Sequence, residues 1–228
     1  MNADDNVRRQ RFGQSAFKKG DHFGQWKWLR EAWKVFFLVL CWLPAVSPAA
    51  ETAPAGWRVW LESRSLRAPV SGAIDGAQHT QWVGGVRDGG WDEWLSKSQW
   101  AGLATSWEAF FQQARANADA DLAELTPRYV RDRNQVIEYA VLSSDRPVVA
   151  SAVSSAKFHT LFESTLGEKV LVVVPNRFTA FVFPRLASNY PLYARLVFDA
   201  FESTAFKGSL EVFEVGAAGW RAVGIYER

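Results

Sequence analysis

"KVLVVVPNRFTAFVFPR", residues 169–185, sets the reading of the whole chain. Two apolar runs, 170–174 and 179–183, flank Pro175-Asn176-Arg177-Phe178. Both runs are apolar on both faces, which predicts central strands covered on each side. Proline presets φ and asparagine tolerates unusual backbone angles, so the interruption reads as a turn. Four residues are enough to join antiparallel neighbours. The expectation is a central hairpin over 169–183 with Asn176-Arg177 at an exposed tip. Loops often carry function, so Asn176 and Arg177 are ligand-binding candidates. Along one strand Arg177 and Arg185 would stand roughly 26 Å apart, too far to share a small site. A hairpin returns Arg185 to the level of Glu168 and Lys169, which predicts an Arg185–Glu168 ion pair.

Working outward, "GWRVWLES" (56–63) alternates Trp57, Val59 and Leu61 against Arg58, Trp60 and Glu62, as a strand does. "RAPVSGAIDGAQ" (67–78) reads as loop, and "HTQWVGGV" (79–86) as a short strand before the turn "RDGG". "PRYV" and "QVIEYAVLSS" read as strands around the turn "RDRN", and "RPVVASAV" (146–153) as a further strand. "SLEVFEVGAAGWRAVGIYE" (209–227) closes the chain as a hairpin on Gly216-Ala217-Ala218-Gly219.

Between these runs the period changes. Trp100, Leu103, Ala104, Trp107, Phe110, Phe111, Ala114, Ala118, Leu122 and Leu125 form a helical stripe. Ser106 is placed to cap a second helix there, and Thr126-Pro127 ends it. Ser154 or Ser155 is placed to cap a helix carrying Phe158, Leu161, Phe162 and Leu166, with Gly167 as its stop. "SNYPLYARLVFDAFEST" (188–204) predicts a helix with Ser188 as cap and Pro191 in the first turn. The order predicts an α+β fold: a mixed or antiparallel sheet with helices packed on it.

The charge balance separates the ends of the chain. The 228 residues carry 26 Lys/Arg and 24 Asp/Glu, a net of +2. Eight of those bases and four of those acids fall in residues 1–34 and none in 35–49, so 50–228 hold 18 and 20. Such a body offers a polyanion no bulk attraction, which argues against a nucleic-acid partner. The leader has a basic start, an uncharged run from Val35 to Val46, and the small residues Ser47 and Ala49. That order is the signature of a secretory signal peptide, with cleavage after Ala49. The run is shorter than the roughly 20 residues of a spanning helix, so no stable transmembrane span is expected after cleavage. The predicted organisation is a leader (1–49), a flexible linker (50–56) and a single α+β domain (57–228), secreted or periplasmic. Cys41 is the one cysteine and lies in the apolar run, so the mature chain would hold no disulfide, thiol nucleophile or cysteine-ligated metal.

Several short patterns invite a chemical reading. Ser154-Ser155-Ala156-Lys157 fits S-x-x-K, in which the amine takes the serine proton from one helical turn away. Its companion motifs are missing, and the simpler reading is a capping serine and a solvated lysine. After residue 49 the histidines are His79 and His159, with no H-E-x-x-H motif and no pair at ligand spacing. A Ser-His-Asp triad needs one of them beside a serine and an acid; His159, next to Phe158, reads most simply as a boundary residue. Asn117, Asp119 and Asp121 resemble the start of a calcium loop, but the sixth position is Leu122 and the twelfth Arg128, so a solvated helix face is the simpler reading. No metal or cofactor is expected. Arg128, Arg131 and Arg133 crowd one turn, an anion site or a solvated turn. Trp91 and Trp94 precede the helical stripe in a Gly-rich stretch and are candidates to stack on sugar rings.

The segment "GEKVLVVVPNRFTAFVFP" (167–184) resembles the YtpQ-like proteins, a bacterial family without an assigned activity. Val174, Pro175, Arg177, Val182 and Phe183 carry the match, which extends loosely over 147–185. Phe178 stands where an Asp often follows the Arg in that family. The resemblance implies a shared α+β core and transfers no site. The function expected from the sequence is a non-catalytic binding or structural protein of the bacterial envelope, whose partner is an envelope component or glycan. The alternatives are a serine hydrolase-like enzyme on Ser154/Lys157 and a carbohydrate-binding module on Trp91/Trp94.

Overall fold

The strands of the computed structural model, which describes residues 55–187 and 189–227, form two antiparallel sheets. The signal peptide, its Ala49 cleavage site, Cys41 and the proposed Ser188 cap lie outside these residues. The first sheet holds β1 (Trp57–Ser63), β2 (Ser71–Gly72), β3 (Thr80–Asp88) and β4 (Trp91–Trp94), with β3 pairing to the other three. Helices α1 (Lys97–Gly102) and α2 (Trp107–Ala123) follow, each capped by a serine, Ser96 and Ser106. The second sheet runs β10-β9-β7-β8-β6-β5. It is built from β5 (Arg128–Arg131), β6 (Ile137–Ser143), β7 (Val170–Asn176), β8 (Thr179–Pro184), β9 (Glu211–Gly216) and β10 (Gly219–Ile225). Helices α3 (Val149–Ala152) and α4 (Thr160–Leu166) lie between β6 and β7 in the chain, and α5 (Ala194–Glu202) between β8 and β9. The fold is α+β, with the central and C-terminal hairpins in the predicted places. No helix among the described residues is long and apolar enough to cross a membrane.

The second sheet has two apolar faces, as the runs around Pro175 require. Val170, Val172, Val174, Ala180, Val182 and Phe213 face the larger core, which is shared with the first sheet and α2 to α4. Leu171, Val173, Phe181, Phe183 and Val212 face a second cluster closed by Val197 of α5.

Local departures from the sequence reading have physical causes. β1 was expected to alternate, yet all of Trp57–Glu62 is buried, because its second face also meets protein. β4 replaces an expected loop: Gly89 and Gly90 take positive φ and turn the chain back on β3. Gly85 of β3 is required by contact, since a Cβ there would lie 2.2 Å from the Glu93 carbonyl and 2.3 Å from the Trp60 ring. "RPVVASAV" is not a strand. Val148 to Val153 are buried on every side, and the run folds into the one-turn helix α3, a periodicity no buried apolar stretch can reveal. α4 begins at Thr160 without a side-chain cap, so neither Ser154 nor Ser155 caps it. The 188–204 segment opens with a 3-10 turn, Tyr190–Tyr193, before α5.

Three expectations about the hairpin fail. Its loop is only Arg177-Phe178, since Asn176 pairs with Thr179. The tip is also buried, Asn176 at 2% and Arg177 at 7% exposure, because α3 and residues 206–208 close over it. The amides of Val149 and Ala150 donate to the Arg177 carbonyl, and the Arg177 amide donates to that of Phe206. Arg185 pairs with Glu214 of β9 rather than Glu168, because β9 lies beside β7 and brings Glu214 level with Leu171.

Candidate functional site

Of the sequence candidates Asn176, Arg177, Trp91 and Trp94, the structure brings Arg177 and Trp94 together on the buried Glu62. Arg177 donates to Glu62 Oε1 (3.0 Å) and to the Asp92 carbonyl (3.1 Å). Its guanidinium lies 4.8 Å over Trp60 and 5.6 Å from the Phe206 ring. Glu62 Oε2 accepts from the indoles of Trp60 (3.1 Å) and Trp94 (2.7 Å). Trp91 rests on Phe206 at 5.6 Å and keeps half its surface exposed. Asn176 is consumed by its surroundings: its amide donates to the Ala200 carbonyl and its oxygen accepts from Phe178 N. One carboxylate accepting three donors, beneath a cation held between rings, is a buried ion pair that joins the two sheets; the Arg177 Nε finds no acceptor of its own.

A second buried network lies under β1, β3, α2 and α3. Asp121 takes two bonds from Arg58 (2.8 and 3.2 Å), one from Arg87 (2.6 Å) and one from Ser151 (3.0 Å). Arg87 also grips Asp92 with two bonds (2.7 and 3.0 Å). Burial pulls the Arg87 guanidinium down, but the Asp92 and Asp121 carboxylates outweigh it and hold the group above its ordinary value. Asp121 is thus no solvated helix residue: it ties α2 to both of the first sheet's longest strands.

The S-x-x-K residues are not brought together. The Ser154 hydroxyl donates to the Ser151 carbonyl (2.7 Å), and the Lys157 ammonium pairs with Asp119 (2.7 Å). Burial pushes the Asp119 carboxyl up, but bonds from Lys157 and Ser155 prevail and hold it below the usual range. His159 is half-buried at the start of α4, and His79 is exposed, its amide donating to Glu211. Arg128, Arg131 and Arg133 are all exposed on the β5–β6 hairpin, where Arg131 donates to the Gln135 carbonyl. Among the described residues no group of three or more His, Cys, Asp or Glu side chains is arranged to hold a metal ion.

A different place has the shape of a site. Trp220, at the start of β10, stands between two adjoining pockets. One, of about 160 Å³, is lined by the aromatic residues Trp82, Trp107, Phe111 and Trp220 with Asp75, Arg115 and Ser154. The other, of about 350 Å³, is lined by Trp220 with Asp75, Lys169, Glu214 and Arg221. Asp75, Gly219 and Trp220 belong to both, so the two form one groove.

The groove follows from the fold. Trp220 is wedged by Trp82 (5.3 Å, edge-on), Phe213 (5.5 Å) and Phe158 (5.9 Å), which fixes its ring at the rim of the larger core. The loop carrying Asp75 reaches the edge of β10 because Gly76, at φ +69°, approaches within a distance where a Cβ would sit 2.9 Å from the Ala222 carbonyl. The Ala222 amide then donates to the Asp75 carbonyl (2.8 Å). Arg115 lies 5.7 Å over Phe111 and donates to the Ser154 carbonyl (2.9 Å), and burial lowers its guanidinium below the ordinary value.

The charged half is built on Glu214. This side chain is 9% exposed, while its partners Lys169 (3.4 Å), Arg221 (3.1 Å) and Arg185 are each about half exposed. The Arg185 hydrogen bond, with the Lys169 charge, holds the Glu214 carboxyl below the usual range. Three cations meet the Glu214 carboxylate; with Asp75 as the second acid of the groove, the cluster is left with one positive charge, and Arg185 stands behind the lining.

No family model, curated protein or solved structure matches the chain. The YtpQ-like resemblance therefore rests on the residues of 147–185 alone. One sequence candidate, Ser154 of the S-x-x-K pattern, lines the groove. The other members come from β3, α2, the 73–78 loop, Lys169 and the C-terminal hairpin, and their sequence signal was the abundance of tryptophan.

Proposed function

We propose that the protein is an exported, non-catalytic binding protein of the bacterial cell envelope, and that its ligand lies along Trp220. The observation that carries this reading is the groove itself: an aromatic pocket opening beside a charged one, with Trp220 in both. Ligand sites combine apolar walls with a few placed polar groups, and the two pockets together fall near the roughly 300–1,000 Å³ such sites occupy. A binding role is favoured over hydrolysis because Ser154 and Lys157 each spend their polar atom on another partner. Trp220 is favoured over Trp91/Trp94 as the sugar platform because the Trp94 indole is tied to Glu62. Export is supported by the order of basic, apolar and small residues up to Ala49.

Two measurements test this. Fractionation of a bacterial host expressing the full chain should yield a processed form outside the cytoplasm that begins at Ala50; an unprocessed cytoplasmic chain contradicts export. Titration with a solubilised bacterial envelope polysaccharide fraction should shift the Trp220 indole resonance and lose affinity in Trp220→Ala. An unshifted Trp220 contradicts the groove.

A further inference from the structure

We propose that the ligand in the Trp220 groove is an acidic sugar, a glycan ring bearing a carboxylate or phosphate; the assignment rests on the groove being the binding site. The two halves of the groove make separate demands. The half formed by Trp82, Trp107, Phe111 and Trp220 presents aromatic surface, which suits the flat C–H face of a ring. The other half presents Lys169 and Arg221, which with Arg185 converge on Glu214; against Glu214 and Asp75 together the three cations leave an excess of one charge. That excess suits an anionic substituent, and an arginine offers it paired donors.

Asp75 discriminates between anionic ligands. It lines both halves, so an aromatic acid with no hydroxyls would bring its ring and its charge past a carboxylate that nothing on the ligand satisfies. Leaving a polar group desolvated without a partner is costly. A sugar ring offers hydroxyl donors to Asp75 while its acid group reaches Lys169 and Arg221. The ring and the charge of the ligand are therefore read by different residues, and the two can be separated by substitution.

Calorimetric titration of the full chain with tri-galacturonate, its methyl ester and inorganic phosphate separates these contributions. The acid should bind at least tenfold more tightly than the ester at low ionic strength, and the gap should close in high salt. Lys169→Ala/Arg221→Ala should bring the acid to the level of the ester, and Trp220→Ala should weaken both by tenfold or more. Thermal melts of each variant show whether it is folded; if the double variant is not, Arg221→Gln should narrow the gap alone. Equal affinity for acid and ester overturns the acidic assignment and leaves the groove standing. Phosphate competing as well as the trisaccharide reduces the site to an anion contact and overturns the sugar. Binding of neither trisaccharide, while the polysaccharide fraction still shifts Trp220, overturns the acidic-sugar assignment alone; if that shift is absent too, the groove reading itself fails.

Discussion

Arg177 and Arg221 make the same bond in opposite settings. Each donates to a carboxylate that is under a tenth exposed, Glu62 and Glu214, at 3.0 and 3.1 Å. Arg177 is as buried as its partner, lies over two rings and joins the sheets. Arg221 is half exposed, shares its carboxylate with two other cations and borders an open groove. A buried cation held by a carboxylate, a carbonyl and two rings fixes the fold, while exposed cations in excess of their carboxylate remain available to a ligand. An arginine in the sequence does not announce which kind it is.

The sharpest way to break the comparison is at the interior junction. Glu62→Ala leaves Arg177 buried without its carboxylate and two indoles without an acceptor, and should cost about 3–5 kcal/mol. Urea unfolding followed by tryptophan emission checks this, and a loss under about 1 kcal/mol would place the junction among weak surface pairs. Asp121→Ala should cost about 3 kcal/mol, because Arg58 and Arg87 both lose a buried partner. Gly85→Ala should cost about 1–3 kcal/mol by forcing β4 or the Trp60 ring away, visible as a lowered melting temperature.

The surface cluster should show itself in the pH dependence of stability. The Glu214 carboxyl is held below its unfolded value, so its stabilisation is present above about pH 4.3 and fades as the pH falls through the folded value. Glu214→Gln should lower stability at pH 7 and flatten the acid limb of the profile between about pH 5 and 3, with little change below it. An unchanged acid limb would detach Glu214 from its three cations. The smallest effect belongs to Trp91→Ala, which should cost about 1 kcal/mol, since half of that ring already faces solvent.

What the sequence could reveal follows from what each signal measures. The doubly apolar runs around Pro175 foretold a sheet covered on both faces, and Ser106 foretold the start of α2, because both signals are local. α3 was read as a strand because residues buried on every side have no period. The tip at Arg177 was read as exposed because its cover comes from α3 and from residues 206–208, both distant in the chain from one turn or the other. Trp94 and Arg177 do meet, yet in the interior, on Glu62. Glu62, Asp121 and Glu214 each looked like one more solvated acid, and the three-dimensional partners that single them out lie 115, 63 and 29 residues away.

The most direct test is a ¹H–¹⁵N spectrum of the tryptophan indoles during titration with tri-galacturonate. The Trp220, Trp82 and Trp107 signals should move together, while those of Trp60 and Trp94, both bonded to Glu62, stay in place. Movement of Trp60, Trp94 or Trp91 with Trp220 unmoved would contradict the division between a structural junction and a binding groove.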